Sequence, residues 1–291
     1  MGFDTSRILA ELEQSGIDMN VAQKGGGGDY MPPAAGPVQL RFFSYVELGK
    51  HETNFQGVKK TPDMVKIGFE LSGPNHPPKE DGTPLTIFID LNKSLNDKAQ
   101  FFKLFAKMNH AGKAKHILAL LGTAYLGTIH HRAYKRKDGS DGVAVELKAK
   151  GESYDIRPTS FIHPATGAVE NIAVAPLRSA ERVFLWDRPD MEQWATLFIE
   201  GEYPARTNDA GEVIKPASSK NVIQAQIMRA KNFAGSPMEV LLKANGKSLD
   251  IPDAEIPEVE SEDNTPEPSK APVQAAVPTG QAAADALAGV M

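Results

Sequence analysis

Residues 38–47 read Val-Gln-Leu-Arg-Phe-Phe-Ser-Tyr-Val-Glu, and the fold is decided on this stretch. Branched and aromatic residues dominate it, which favours a strand. Successive side chains of a strand point to opposite faces. Val38, Leu40, Phe42, Ser44 and Val46 therefore share a core-directed face. Gln39, Arg41, Phe43, Tyr45 and Glu47 share the other, which is predicted to face outward. Two readings of that second face compete. A further sheet or the C-terminal region covers Phe43 and Tyr45 as ordinary core rings, or the rings and the cation stack on bases beside phosphates.

The alternation recurs on either side of a turn. Within 64–71, Val65, Ile67, Phe69 and Leu71 point inward; 85–91 repeats the pattern, and Asp81-Gly82 before it is a turn signal. Asn96 or Asp97 caps a predicted helix over 97–108, with Phe101, Phe102, Leu104 and Phe105 as its apolar stripe. A second helical stretch runs over 113–121 to Gly122. Strands are predicted at 124–134 and 143–150, separated by Lys137-Asp-Gly-Ser-Asp-Gly.

Three strands, a helix and two strands is the element order of an OB-fold. The predicted fold class is mainly β with helical additions (α+β): a five-stranded OB-fold barrel, a C-terminal helical appendage and a disordered acidic tail. Residues 1–29 hold a short amphipathic helix at 4–16 and a linker at Gly25–Gly28. Residues 30–160 form the nucleic-acid-binding domain. Residues 161–248 form the helical appendage, packed on or beside the barrel. Its predicted helices lie at 191–198, at 218–232 with Ser218 or Ser219 as cap, and at 236–242. Residues 249–291 are a Pro- and Ala-rich acidic tail with too little apolar content to join a core.

The chain has 291 residues, no cysteine and a net charge of −5. Thiolate catalysis, disulfides and cysteine-ligated zinc are excluded. No apolar run has the length of a membrane span and the N-terminus lacks the layout of a signal peptide, so a cytoplasmic location is expected, that of the host if the protein is viral. Residues 250–291 carry nine acidic residues against Lys270, a balance of −8, which leaves the remainder at +3. Residues 38–157 hold 19 Lys and Arg against 13 Asp and Glu. A mildly basic body followed by an acidic tail is the layout to be explained.

Enzyme motifs fail on inspection. Gly25–Gly28 lacks the lysine and flanking elements of a phosphate-cradling loop. Lys79-Glu-Asp-Gly matches the lysine motif of nucleotidyltransferases, but Asp-Gly between two strands reads as a hairpin turn. His130 and His131 are adjacent in a strand and point to opposite faces, so they do not chelate one ion together. No catalytic residue, metal or cofactor is expected.

Cations and rings gather instead. Lys66, Phe88 and Lys148 lie on the outward side of their strands, with Arg41, Phe43 and Tyr45. The two loops beside the groove of an OB-fold are basic: His51, Lys59 and Lys60 in one, Arg132, Tyr134, Lys135, Arg136 and Lys137 in the other. Each lysine alone reads as a solvated surface residue. Their coincidence with the rings favours the stacking reading and single-stranded nucleic acid.

Pro33-Ala-Ala-Gly-Pro-Val-Gln-Leu-Arg-Phe-Phe-Ser-Tyr-Val-Glu-Leu-Gly, followed by Lys66-Ile-Gly-Phe-Glu-Leu, resembles the opening of bacteriophage OB-fold single-stranded DNA-binding proteins. Leu120-Leu-Gly-Thr-Ala-Tyr-Leu-Gly-Thr-Ile-His-His is similar to a later strand of that group. The resemblance covers residues 30–160. It implies a non-enzymatic protein that coats and protects single-stranded DNA in phage DNA replication or recombination. Implied partners are the DNA, neighbouring copies along it, and replication proteins recruited through the acidic tail; no membrane is implied. The tail departs from the family pattern, because its acidic block is not terminal and no closing phenylalanine follows. The rival expectations are a virion structural or assembly protein with a β-barrel domain, and an accessory factor that recruits a polymerase.

Overall fold

The computed structural model describes residues 32–55, 58–135, 141–149, 151, 153–163, 165–208 and 211–254. The expected N-terminal helix and glycine linker, Arg136, Lys137 and the tail beyond residue 254 lie outside them. The architecture is mainly β with a few short helices. Its centre is the long strand β1 (Gly36–Lys50). A small hairpin, β2 (Thr53–Phe55) and β3 (Val58–Lys60), leads to β4 (Asp63–Ser72), which pairs antiparallel along β1. The next strand, β5 (Leu85–Asn92), pairs with β4. Between them Gly82 takes a left-handed φ of 78° and its N–H donates to the Lys79 carbonyl, so Lys79-Glu-Asp-Gly forms a tight turn.

Helix α1 (Gln100–Met108) turns Phe101, Leu104 and Met108 into the core. The second helical stretch is reduced to a 3₁₀ turn at Ile117–Leu120. Strand β6 (Ala124–Lys135) pairs with the first part of β1, and β7 (Asp141–Glu146) pairs with the outer half of β6. The path through the sheet is β5-β4-β1-β6-β7.

The expected closed barrel is corrected to an open sheet. β6 spends residues 124–129 on β1 and only residues 130–135 on β7, which displaces β7 from β5. A two-residue strand, β8 (Ile156–Arg157), takes the free edge of β6 at Leu126 and Gly127. Residues 147–149, expected to belong to the last strand, lie beyond the end of β7, and residue 150 lies outside the described residues.

A small hairpin of β9 (Ser160–Ile162) and β10 (Val169–Asn171) follows. Then β11 (Arg182–Phe184) adds to β1 in parallel at Ser44–Val46. Helix α2 (Met191–Thr196) is capped by Asp190, whose carboxylate accepts from the Gln193 N–H at 2.7 Å. Short paired strands, β12 (Glu202–Tyr203) with β15 (Ser218–Ser219) and β13 (Arg206–Thr207) with β14 (Val213–Lys215), separate it from two further helices. The helix predicted over 218–232 is only α3 (Val222–Met228), since Ser218 and Ser219 pair as strand. In α4 (Pro237–Ala244) the Ser236 hydroxyl accepts from the Glu239 N–H, with proline in the first turn.

Two apolar clusters meet at β1. Leu40, Phe42, Tyr45, Ile67, Phe69, Phe101 and Leu104 belong to the first. The second packs Val46, Leu48 and Met64 under Phe184, Trp194, Ile223, Ile227 and Leu242. β1 is thus covered on both faces over its second half. Gly49, at φ 80°, is required there, because a Cβ would lie 2.3 Å from the Trp186 ring.

Candidate nucleic-acid interface

The face predicted to stack on bases is closed. Ser44 pairs with Gly68 while Phe42 pairs with Phe69, so the ladder carries a bulge that leaves Phe43 as the extra residue. A bulge shifts the side-chain parity by one. Val38, Leu40 and Phe42 face the first core, and beyond the bulge Tyr45 takes the same face. The outward placement of Phe43 and Tyr45 is therefore corrected: each is 1% exposed. The Phe43 ring meets Phe88 edge-on at 5.6 Å, and Phe88 itself is half-buried on β5. The Tyr45 hydroxyl donates to Glu47 at 2.9 Å, and burial beside that carboxylate raises the Tyr45 pKa far above the usual tyrosine range.

Arg41 is committed internally. Its guanidinium donates to the carbonyls of Gly122 at 2.8 Å, Ala175 at 2.8 Å and Val174 at 3.0 Å. The expectation of a free phosphate ligand is corrected, because all three bonds go to the chain's own backbone. Lys66 lies on the face opposite Val65 and Ile67 and is paired with Asp90 on the neighbouring strand, the two side chains being only 14% and 18% exposed. Lys148 sits over the Tyr154 ring at 5.6 Å, outside the strand expected to carry it.

The loop residues are the more accessible ones. Lys59 and Lys60 lie on β3, and Lys59 pairs with Glu52 at 2.9 Å while both side chains stay in solvent. That contact raises the Lys59 pKa and lowers that of Glu52. Arg132 pairs with Glu146 at 2.6 Å across β6 and β7. Tyr134 is exposed and lies over Gly142, where a Cβ would meet its ring at 2.6 Å. Lys135 pairs with Asp141 at 2.7 Å in the open. The structure thus splits the predicted set. Lys59, Lys60, Tyr134 and Lys135 stand on two protruding hairpins, whereas Arg41, Phe43 and Tyr45 are structural. His131 lies 2.7 Å from the Pro33 carbonyl, and among the described residues no cluster of ligating side chains suits a metal.

Sequence reading missed a second basic region. Between Lys93 and His116 the chain has six lysines (93, 98, 103, 107, 113 and 115) against Asp97. Lys103 and Lys107 lie on α1, and Lys93 and Lys115 line a cavity of about 530 Å³ with Tyr45, Leu95, Phe101, Phe105 and His116, among others. The lysine count is visible in the sequence, but helical periodicity reports only the buried face and does not place these lysines relative to a cavity.

Comparison with models of known families, with curated proteins and with solved structures finds no match for this chain.

Proposed function

We propose that this chain is a non-enzymatic single-stranded DNA-binding protein that coats and protects displaced strands in phage DNA replication or recombination. One observation carries the reading. The strand path β5-β4-β1-β6-β7 is the order of an OB-fold opened between its third and fifth strands, and both connections that OB-folds use for binding carry basic hairpins. The first connection holds Lys59 and Lys60, the second Tyr134 and Lys135. The ion pairs Lys59–Glu52 and Lys135–Asp141 are exposed. Such exposed pairs are weak and screened by salt, so a phosphate can take the place of the carboxylate.

The mechanism differs from the one expected from sequence. Phosphate neutralisation rests on the hairpins, and stacking falls to accessible rings such as Tyr134 instead of Phe43 and Tyr45. The test is a fluorescence titration with oligo(dT) at rising salt, with duplex DNA as competitor. Log K is expected to fall with log salt by roughly 0.7 per phosphate contact. Preference for duplex, or a flat salt response, overturns the reading. Absence of any binding in a protein that assembles with itself would favour the virion-assembly alternative.

A further inference from the structure

We propose that the cavity beside α1 seats one nucleotide of a single strand, its base against Phe105 and His116 and its phosphates on Lys115 at the rim and the lysines along α1. The inference rests on the single-stranded DNA reading above and adds a site that neither hairpin contains. Phe105 and His116 bring two accessible rings to one cavity whose floor is the buried Tyr45 and Phe101, and its volume of about 530 Å³ lies within the usual range for small-ligand sites, about 300–1,000 Å³. Glu47, buried next to the Tyr45 hydroxyl, is neutralised: Lys93 pairs with it at 2.7 Å, and the Tyr45 hydroxyl and the Trp186 N–H donate to it. That carboxylate therefore adds little repulsion toward an anion.

Lys98, Lys103, Lys107, Lys113 and Lys115 are exposed and form no ion pair among the described residues. Lysines that extend along α1 beyond the cavity suit a chain of phosphates more than the single carboxylate of a fatty acid. Rings suit a base because every base has a stacking face. Together they favour a nucleotide within a strand.

The experiment uses the full chain and oligo(dT), with a 4-thiothymidine oligonucleotide for cross-linking. Phe105→Ala is expected to weaken binding at least about fivefold. Lys115→Ala should reduce the steepness of the log K against log salt plot by about 0.7, and cross-links should map to residues 93–116. If the wild type binds but both variants match it and cross-links map to the hairpins, the cavity assignment falls and the DNA reading stands. If the wild type binds no oligonucleotide, both fall. Should Phe105→Ala fail to fold, the Lys115→Ala slope and the cross-link positions decide. Loss of self-association with DNA binding intact assigns the cavity to a second copy and overturns the inference.

Discussion

Arg41 on β1 stands directly opposite Glu70 on β4, and the two hold residues 174–179 across the outer face of the main sheet. Arg41 donates to the carbonyls of Val174 and Ala175, and the buried Glu70 carboxylate accepts from the N–H groups of Arg178 and Ser179, the latter at 2.7 Å. A strand pair thus supplies donors to one end of an extended segment and acceptors to the other. Buried charges persist where their hydrogen-bonding capacity is used in this way. The price is function, since an arginine so engaged is withdrawn from ligand binding.

Glu70→Ala removes the acceptor of two backbone N–H groups. A loss of about 1–3 kcal/mol in urea denaturation is expected from the orphaned donors. Amide hydrogen exchange at residues 178 and 179 should accelerate. Combining it with Arg41→Ala should cost less than the sum of the single changes, because both hold one segment. Unchanged exchange at both amides would show that other contacts pin this segment.

Phe43→Ala separates stacking from packing. With the ring 1% exposed and against Phe88, truncation is expected to cost about 3–5 kcal/mol of stability. Oligo(dT) affinity, measured where the variant is still folded, should stay within about twofold of wild type. The opposite pattern, a stable protein with weakened DNA binding, would return Phe43 to the interface.

The strands at 64–71, 85–91 and 124–134 were legible because period-two alternation reports a buried face, and each matches an observed strand closely. The same rule misassigned Tyr45. Alternation assumes an unbroken ladder, and the bulge at Phe43 reverses parity with no marker of its own. Nor could the addition of a parallel strand at the edge of β1 be read. β11 joins β1 from 138 residues further along, guided by tertiary register and not by any local pattern. Charge was legible as a sum but not as an arrangement: Lys59 and Arg41 look alike in sequence, yet one is exposed on a hairpin and the other is bound by three carbonyls.

Gly68 is where the sheet has no room to spare. A Cβ at this position would lie 2.7 Å from the Phe88 ring and 2.8 Å from the Ser44 Cβ. Gly68→Ala is therefore expected to destabilise by about 1–3 kcal/mol through overpacking. Adding Phe88→Leu removes the ring edge, so the double variant should recover part of that loss. A neutral Gly68→Ala in thermal unfolding would mean that the two strands relax at no cost.

His51 gives the fold a pH dependence whose sign follows from its surroundings. Burial is the largest influence and lowers its pKa, with Lys66 and Lys231 acting in the same direction; the Leu48 carbonyl, 3.1 Å from Nε2, and Asp90 oppose them. The folded state therefore prefers the neutral ring. Above a pH of about 6.5, the ordinary histidine value, folded and unfolded states are both neutral and the full stability is present. As pH falls below that value, the unfolded chain binds the proton first and stability declines, by at most about 1.4 kcal/mol per pH unit for one proton. The decline ends once the folded-state pKa is passed. His51→Gln keeps a side-chain donor for the Leu48 carbonyl but cannot titrate. Urea denaturation of both proteins at stepped pH should therefore show a gap that changes between about pH 7 and pH 5. Carboxylates such as Glu52 and Glu239, whose pKa values are lowered by Lys59 and Lys243, titrate in both proteins and cancel in the difference. Parallel curves throughout that window would remove His51 as the source.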